Sequence, residues 1–210
     1  MKKVLVTLFI CIMFLGLTTI AQSADMYPET QKSLAYAIAG ETQASANYLA
    51  FADVADKEGH KEIAAIFRAI SAAEAQHAAD ELIVLKRVDP SAVQPKPGEA
   101  KTGTTKENLQ AAIDGETEEY TEMYPGFIVI ANKENFLDAR GIFTIASLAE
   151  EVHAGIYSDL LKNFGNFDKV KYAKIYRCPE CGNIIPTVRP KACPICGDPG
   201  DELIEYEIVK

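Results

Sequence analysis

Apolar residues recur at three- and four-residue intervals over most of the chain, as in Ile63, Ile66, Phe67 and Ile70 and again in Ile142, Phe143 and Ile145. The segments carrying this pattern are long and alanine-rich, which is the mark of amphipathic helices. Four are predicted, over residues 28–57, 61–88, 105–131 and 134–164. Pro28 suits a first helical turn, Gly59 breaks the first pair, and Thr104-x-x-Glu107 forms a capping box that opens the third helix. Pro125-Gly126 falls inside that third helix and predicts a kink there. Residues 89–103 are rich in Pro, Gly and Lys and mark a long crossover between the two helix pairs. After residue 164 the helical period stops. Strand-like stretches at 170–176 and 203–209 predict a small sheet around a cysteine-rich tail.

The first residues follow a different rule. Lys2 and Lys3 precede a run of apolar residues over 4–17, with small and polar residues through Ala24, the layout of a secretory signal. Ala21 and Ser23 at the small-residue positions favour cleavage after Ser23. The segments are then a signal over 1–23, a helical domain over 24–170 and a cysteine domain over 171–210. An uncleaved anchor is the competing reading, because residues 4–21 are just long enough to span a bilayer; a buried helix is the third. Both leading readings put the rest of the chain outside the cytoplasm, in the periplasm or anchored facing it. There is no twin arginine, so export proceeds unfolded and metal is acquired afterwards.

With 48% hydrophobic and 24% charged residues, the chain has the composition of a soluble globular protein. The formal charge is −9, and loss of the signal removes two positive charges and no negative ones, giving −11. That balance argues against nucleic acid or an anionic membrane as partner and favours a small neutral or cationic one.

The chemistry lies in an internal repeat. Ala37-Ile-Ala-Gly-Glu-Thr42 recurs as Ala112-Ile-Asp-Gly-Glu-Thr117, and from Phe51 to Ala78 many residues face identical ones 76 positions later, including Phe127, Phe143, Glu150 and His153. Between these two blocks one copy carries one extra residue. Each copy has a glutamate followed some 33 residues later by E-x-x-H: Glu41 with Glu74 and His77, then Glu116 with Glu150 and His153. Residues three apart on a helix share a face, so each E-x-x-H is a two-toothed ligand. In four-helix di-iron carboxylate proteins, single glutamates on one helix pair meet E-x-x-H motifs on the other, all directed inward. Five inward carboxylates, counting Glu119, are very costly to desolvate alone, whereas two divalent cations leave the site near −1 by formal count. Glu119 has no counterpart in the first half, where Ala44 stands, so the site has one spare ligand. His60 lacks a repeat partner and reads as a surface histidine at a helix break.

Removing the signal takes Cys11 with it and leaves Cys178, Cys181, Cys193 and Cys196, all in the last 33 residues. In an oxidising compartment two disulfides are one reading. The repeated C-P-x-C-G knuckle gives another, a tetrahedral four-thiolate site for zinc or iron, with glycine allowing a left-handed turn.

Taken together, the paired Glu and E-x-x-H, the G-E-T-x-E-Y-T-E-M-Y-P string from Gly115 (with Glu118 an additional acid) and the C-terminal C-x-x-C pairs resemble the rubrerythrin family over nearly the whole mature chain. The resemblance implies an all-α, ferritin-like four-helix bundle with a long crossover, followed by a small β-containing rubredoxin-like domain. It implies two iron ions on Glu41, Glu74, His77, Glu116, Glu119, Glu150 and His153, and one more iron on the four cysteines. Tyr48 and Tyr124 match tyrosines that hydrogen-bond near the di-iron site; packed core tyrosines are the alternative. Glu119, exchanged with His77 during the redox cycle, completes the implied catalytic set. The implied activity is reduction of hydrogen peroxide to water, protecting against oxidative stress. Its electrons come from a donor protein through the cysteine iron, in a homodimer or larger homo-oligomer. A ferroxidase or iron-handling protein and a non-catalytic module with structural zinc are the alternatives. Two features depart from the family pattern: Asn183 stands where an aromatic residue often follows the first knuckle, and the gap between knuckles is a residue short.

Overall fold

The computed structural model describes residues 26–166, 172, 174–186 and 188–207. The proposed signal and its cleavage point lie outside the described residues, as does most of the segment that joins the two domains. Among the described residues no helix is long and apolar enough to cross a membrane.

Helices α1 (Pro28–Lys57) and α2 (Lys61–Lys86) form one hairpin. The second runs through α3 (Thr105–Glu118), a π-helical turn (Glu119–Met123) and α4 (Tyr124–Glu134), and returns along α5 (Leu137–Lys162). Gly59 at φ +85° turns the first hairpin, and Asn135, in the left-handed region that Asn tolerates, turns the second. The capping box at Thr104 and Glu107 is present in both directions. The crossover lies along α1, tied by Gln94 Nε2 to Thr42 Oγ1 (2.9 Å) and by Gly98 N to Gln43 Oε1 (2.7 Å).

The expected kink at Pro125-Gly126 is not where the third helix departs from α geometry. The irregular turn lies just before it, and Pro125 sits in the first turn of α4, where a missing N–H costs little. A π turn is one residue inserted into an α-helix. That residue is the extra one in the second repeat copy, placed between Glu116 and Phe127.

The hairpins cap each other through repeat-related glutamates. Glu58, after α1, accepts a hydrogen bond from Thr105 N of α3 (3.0 Å), and Glu134, ending α4, accepts from Glu29 N (3.1 Å) and Thr30 N (2.9 Å) of α1. Negative charge at a helix N-terminus is favourable, and both glutamates are held below the usual carboxylate range.

Two apolar cores fill the bundle. One, around Phe51, Phe67, Tyr157 and Leu160, extends into Ile175 and Ile184 of the tail; the other lies around Leu34, Ile38, Phe136 and Phe143. Burying one such large apolar side chain is worth about 1.5–3 kcal/mol. The tail is an antiparallel sheet in the order β2-β1-β3: β1 (Lys174–Arg177), β2 (Ile184–Pro186) and β3 (Ile204–Glu207). The central strand β1 and the outer strand β3 match the expected stretches in part; the other outer strand, β2, three residues long, has no counterpart in the sequence pattern. His60 is half-buried with its ring 4.7 Å from that of Phe164, so it packs where a surface histidine was expected.

Candidate metal centre

Helix periodicity brings the repeated motifs to one point. Glu74 and His77 lie one turn apart on α2, Glu150 and His153 on α5, and Glu41 and Glu116 come from α1 and α3. All six are buried. They form two ligand groups, Glu41–Glu74–His77–Glu150 and Glu74–Glu116–Glu150–His153, which share Glu74 and Glu150. Each shared carboxylate turns one oxygen toward each histidine. His77 Nδ1 is 3.0 Å from Glu74 Oε2 and 2.8 Å from Glu150 Oε1. His153 Nδ1 is 3.2 Å from Glu74 Oε1 and 2.7 Å from Glu150 Oε2. Yet Glu41 Oε2, Glu116 Oε2, both Nδ1 atoms and both oxygens of Glu74 and Glu150 make no hydrogen bond. Buried polar atoms are rarely orphaned. Converging lone pairs of this kind fit two cations bridged by two carboxylates.

Electrostatics point the same way. Burial and the neighbouring carboxylates push Glu41, Glu116 and Glu119 well above the usual range. Burial disfavours charge on His153, but Glu74 and Glu150 outweigh it and raise its pKa to about 9; His77 is raised by the same neighbours. Burial also opposes ionisation of Glu150, but the two histidines outweigh it and hold that carboxyl low. The cluster on its own retains protons to balance its charge, and two divalent cations would take their place.

The repeat's tyrosines cross between halves. Tyr48 on α1 donates to Glu116 Oε1 of the second copy (2.9 Å), and Tyr124, at the same 76-residue offset, donates to Glu41 of the first. Both are buried and held well above the normal phenol range, first by desolvation and then by the nearby carboxylates. Each tyrosine thus orients one oxygen of a ligand and leaves the other facing the metal position.

Two residues of this environment escaped the sequence reading. Glu81 is fully buried, with Oε1 2.9 Å from the Tyr124 hydroxyl, and desolvation raises it to about 8. Tyr157 is buried beside Tyr48, ring centroids 5.4 Å apart. A signal existed for Glu81: it falls on the same helical stripe as Glu74 and His77, where an acid on an otherwise apolar face is unusual.

Glu119 opens the π turn and belongs to neither ligand group. It is near enough to Glu150 and Glu74 for their charges to raise its pKa. With Tyr48 it lines a cleft of about 250 Å³ between α1 and α3, walled by Gly40, Ala44 and Gly115. Ala44 and Glu119, the position at which the repeat fails, face the same space.

The four cysteines form a second cluster. Cys178 Sγ lies 3.5 Å from Cys196 Sγ, and Cys181 Sγ the same distance from Cys193 Sγ; none is disulfide-bonded. This rules against the two-disulfide reading, and the spacing is close to the edge of a thiolate tetrahedron built on metal–sulfur bonds of about 2.3 Å. Gly182 (φ +71°) and Gly197 (φ +83°) close the two knuckles. The first knuckle rests on the bundle: Cys181 O lies 3.0 Å from His77 Nε2 and Gly182 O 3.4 Å from His153 Nε2. A carbonyl only accepts, so each Nε2 carries the proton and each Nδ1 presents its lone pair to the metal position. This contact is made within one chain.

A family model described as Rubrerythrin matches residues 32–161. The chain is 36% identical to nigerythrin of Nitratidesulfovibrio vulgaris over 187 residues, covering 89% of this chain and 91% of that protein. It is 34% identical to rubrerythrin of Porphyromonas gingivalis, covering 81% and 86%. A solved structure of nigerythrin in its fully reduced, all-ferrous state superimposes with a TM-score of 0.79 at 36% identity, over 84% of this chain and 86% of that one. With two carboxylate–histidine groups in a four-helix bundle and a four-cysteine cluster in a small sheet, the chain belongs to the rubrerythrin family.

Proposed function

We propose that the protein is a non-haem di-iron peroxidase that reduces hydrogen peroxide to water, with two electrons delivered through iron held by Cys178, Cys181, Cys193 and Cys196. The overall change is H₂O₂ + 2 e⁻ + 2 H⁺ → 2 H₂O. The observation that carries this reading is the 3.0 Å contact between Cys181 O and His77 Nε2, which puts a ligand of one centre against a ligand of the other. A cluster serving only to hold the tail together has no need of it.

Two ferrous ions held by these ligands would supply both electrons needed to cleave the O–O bond. The chain's own part is to place and shield that pair. Glu74 and Glu150, common to both ligand groups, would hold both ions, Glu41 and Glu116 are oriented by Tyr124 and Tyr48, and the two apolar cores keep bulk water away. Glu119, on its π turn beside the cleft, is the mobile carboxylate, with His77 as its exchange partner, and the cleft is the oxidant's way in. The donor is a separate redox protein, and a homodimer is the assembly proposed. The N-terminal segment directs export, with Ala24 as the first mature residue, which intact-mass measurement on exported protein checks.

Cys178→Ser tests the division of labour. A chemically reduced variant given one equivalent of peroxide is oxidised at close to the unmodified rate, because no di-iron ligand has changed. Turnover driven by a protein donor falls steeply. Unimpaired donor-driven turnover removes the electron-entry role; turnover sustained by ferrous iron alone makes the protein a ferroxidase.

A further inference from the structure

The two knuckles are related by an approximate twofold, and their flanking residues break it. After each knuckle glycine comes one residue whose carbonyl accepts from the first cysteine of its own knuckle: Asn183 O from Cys178 N (2.9 Å) and Asp198 O from Cys193 N (2.7 Å). Each then reaches across to the other knuckle. Asn183 Nδ2 lies 3.7 Å from Cys193 Sγ, and Asp198 Oδ2 lies 3.9 Å from Cys178 Sγ. Equivalent positions thus put an amide donor against one sulfur and a carboxylate against its counterpart. Asn183 is 1% exposed and lines a cleft with Leu148, Glu151 and Val152 of α5; Asp198 is half-buried.

We propose that Asn183 and Asp198 are an opposed pair that sets the reduction potential of the four-cysteine centre; this rests on that centre taking iron. With four thiolates the ferric form carries −1 and the ferrous form −2. The Asn183 N–H donates to sulfur, a bond that strengthens as negative charge accumulates, so it favours the reduced state. Once Cys178 is a metal-bound thiolate it has no S–H to donate to Asp198, and the carboxylate, an acceptor only, offers the sulfur no proton in return. Its charge then disfavours the reduced state, less strongly because water reaches it. Asn183 stands where the family often has an aromatic residue, which offers sulfur no such amide donor. The effect falls on the centre lying against His77 and therefore on the driving force for electrons moving inward.

The test is the potential of the iron-loaded full chain, followed by its ferric–thiolate absorption in a redox titration without peroxide or donor protein, so that it stands apart from any failure of the peroxidase reading. Asn183→Leu keeps the size and removes the donor, and the reduction equilibrium falls about three- to tenfold; tenfold is 59 mV for one electron. Asp198→Asn shifts it the opposite way by a smaller factor. An unchanged or raised potential in Asn183→Leu overturns the proposal. If that variant binds no iron, Asp198→Asn decides alone: a raised potential supports the pair, and an unchanged or lowered one overturns it.

Discussion

Gly182→Ala is the sharpest probe of how the two centres meet. A Cβ at Gly182 would sit 2.2 Å from His77 Nε2, 2.9 Å from its Cδ2 and 3.0 Å from its Cε1. Carbon and nitrogen at ease need about 3.5 Å, so knuckle and ring must part by roughly 1.3 Å. The Cys181 carbonyl, 3.0 Å from the same nitrogen, is then carried out of hydrogen-bond range. Losing that bond costs about 1 kcal/mol, and holding alanine at positive φ about 1–2 more. The strain stays in the knuckle whether or not it is docked, so the lost bond weakens docking roughly fivefold and the clash adds to that. Gly197→Ala is the control. It has the same left-handed backbone, φ +83°, with nothing within 4 Å of its Cβ, so it suffers the strain without the clash. Stopped-flow reduction of the di-iron centre by donor protein should slow at least about tenfold in Gly182→Ala and much less in Gly197→Ala. Hydrogen exchange over residues 178–186 should rise in step, while peroxide oxidation of chemically reduced protein slows less than donor-driven reduction, since electron entry and peroxide chemistry are separable steps. Equal donor-driven rates in the two variants would refute the docking argument.

Other substitutions test the site and the bundle. Glu119→Ala should keep both metals and slow oxidation by peroxide, whereas Glu74→Ala should lose metal, since breaking a buried charge pair costs about 3–5 kcal/mol; equal metal loss on elemental analysis would contradict the asymmetry. Gly115→Val, whose Cβ has nothing within 4 Å, should extend its methyls into the cleft and slow peroxide oxidation several-fold in a single-turnover assay while the cysteine centre still accepts electrons. The folded pKa of Glu134 lies below its unfolded value, so its stabilisation is present above that unfolded value, about 4.3, and is lost as pH falls through the folded one. Glu134→Gln should therefore lower Tm by a few degrees at pH 7 and by less at pH 3, which thermal scans at the two values would show.

Helices, crossover and ligands were legible because they are periodic or repeated. The one-residue change in repeat offset was visible too, yet Pro125 drew attention to the wrong turn; an insertion inside a helix is read better from a change of spacing than from a helix breaker. The pairing of Tyr48 with Glu116 and Tyr124 with Glu41 follows from the repeat only once the hairpins are known to face each other. The seating of Gly182 on His77 left no trace in any pattern, because it joins positions more than a hundred residues apart by shape alone. Glu81 left its mark only in the helical stripe it shares with Glu74 and His77, because its repeat counterpart is Tyr157 and no second carboxylate points to it.

The crossing of Tyr48, Tyr124, Glu58 and Glu134 from one hairpin to the other makes the bundle a clasp with two interlocked halves. Neither half holds a finished metal position, because the shared carboxylates Glu74 and Glu150 sit on opposite sides of the seam. Opening the seam would free both cations together, and closing it would recapture both. The lifetime of bound metal would then follow the breathing rate of the hairpin pair more than the affinity of any single ligand, and the two ions would leave and return as one event.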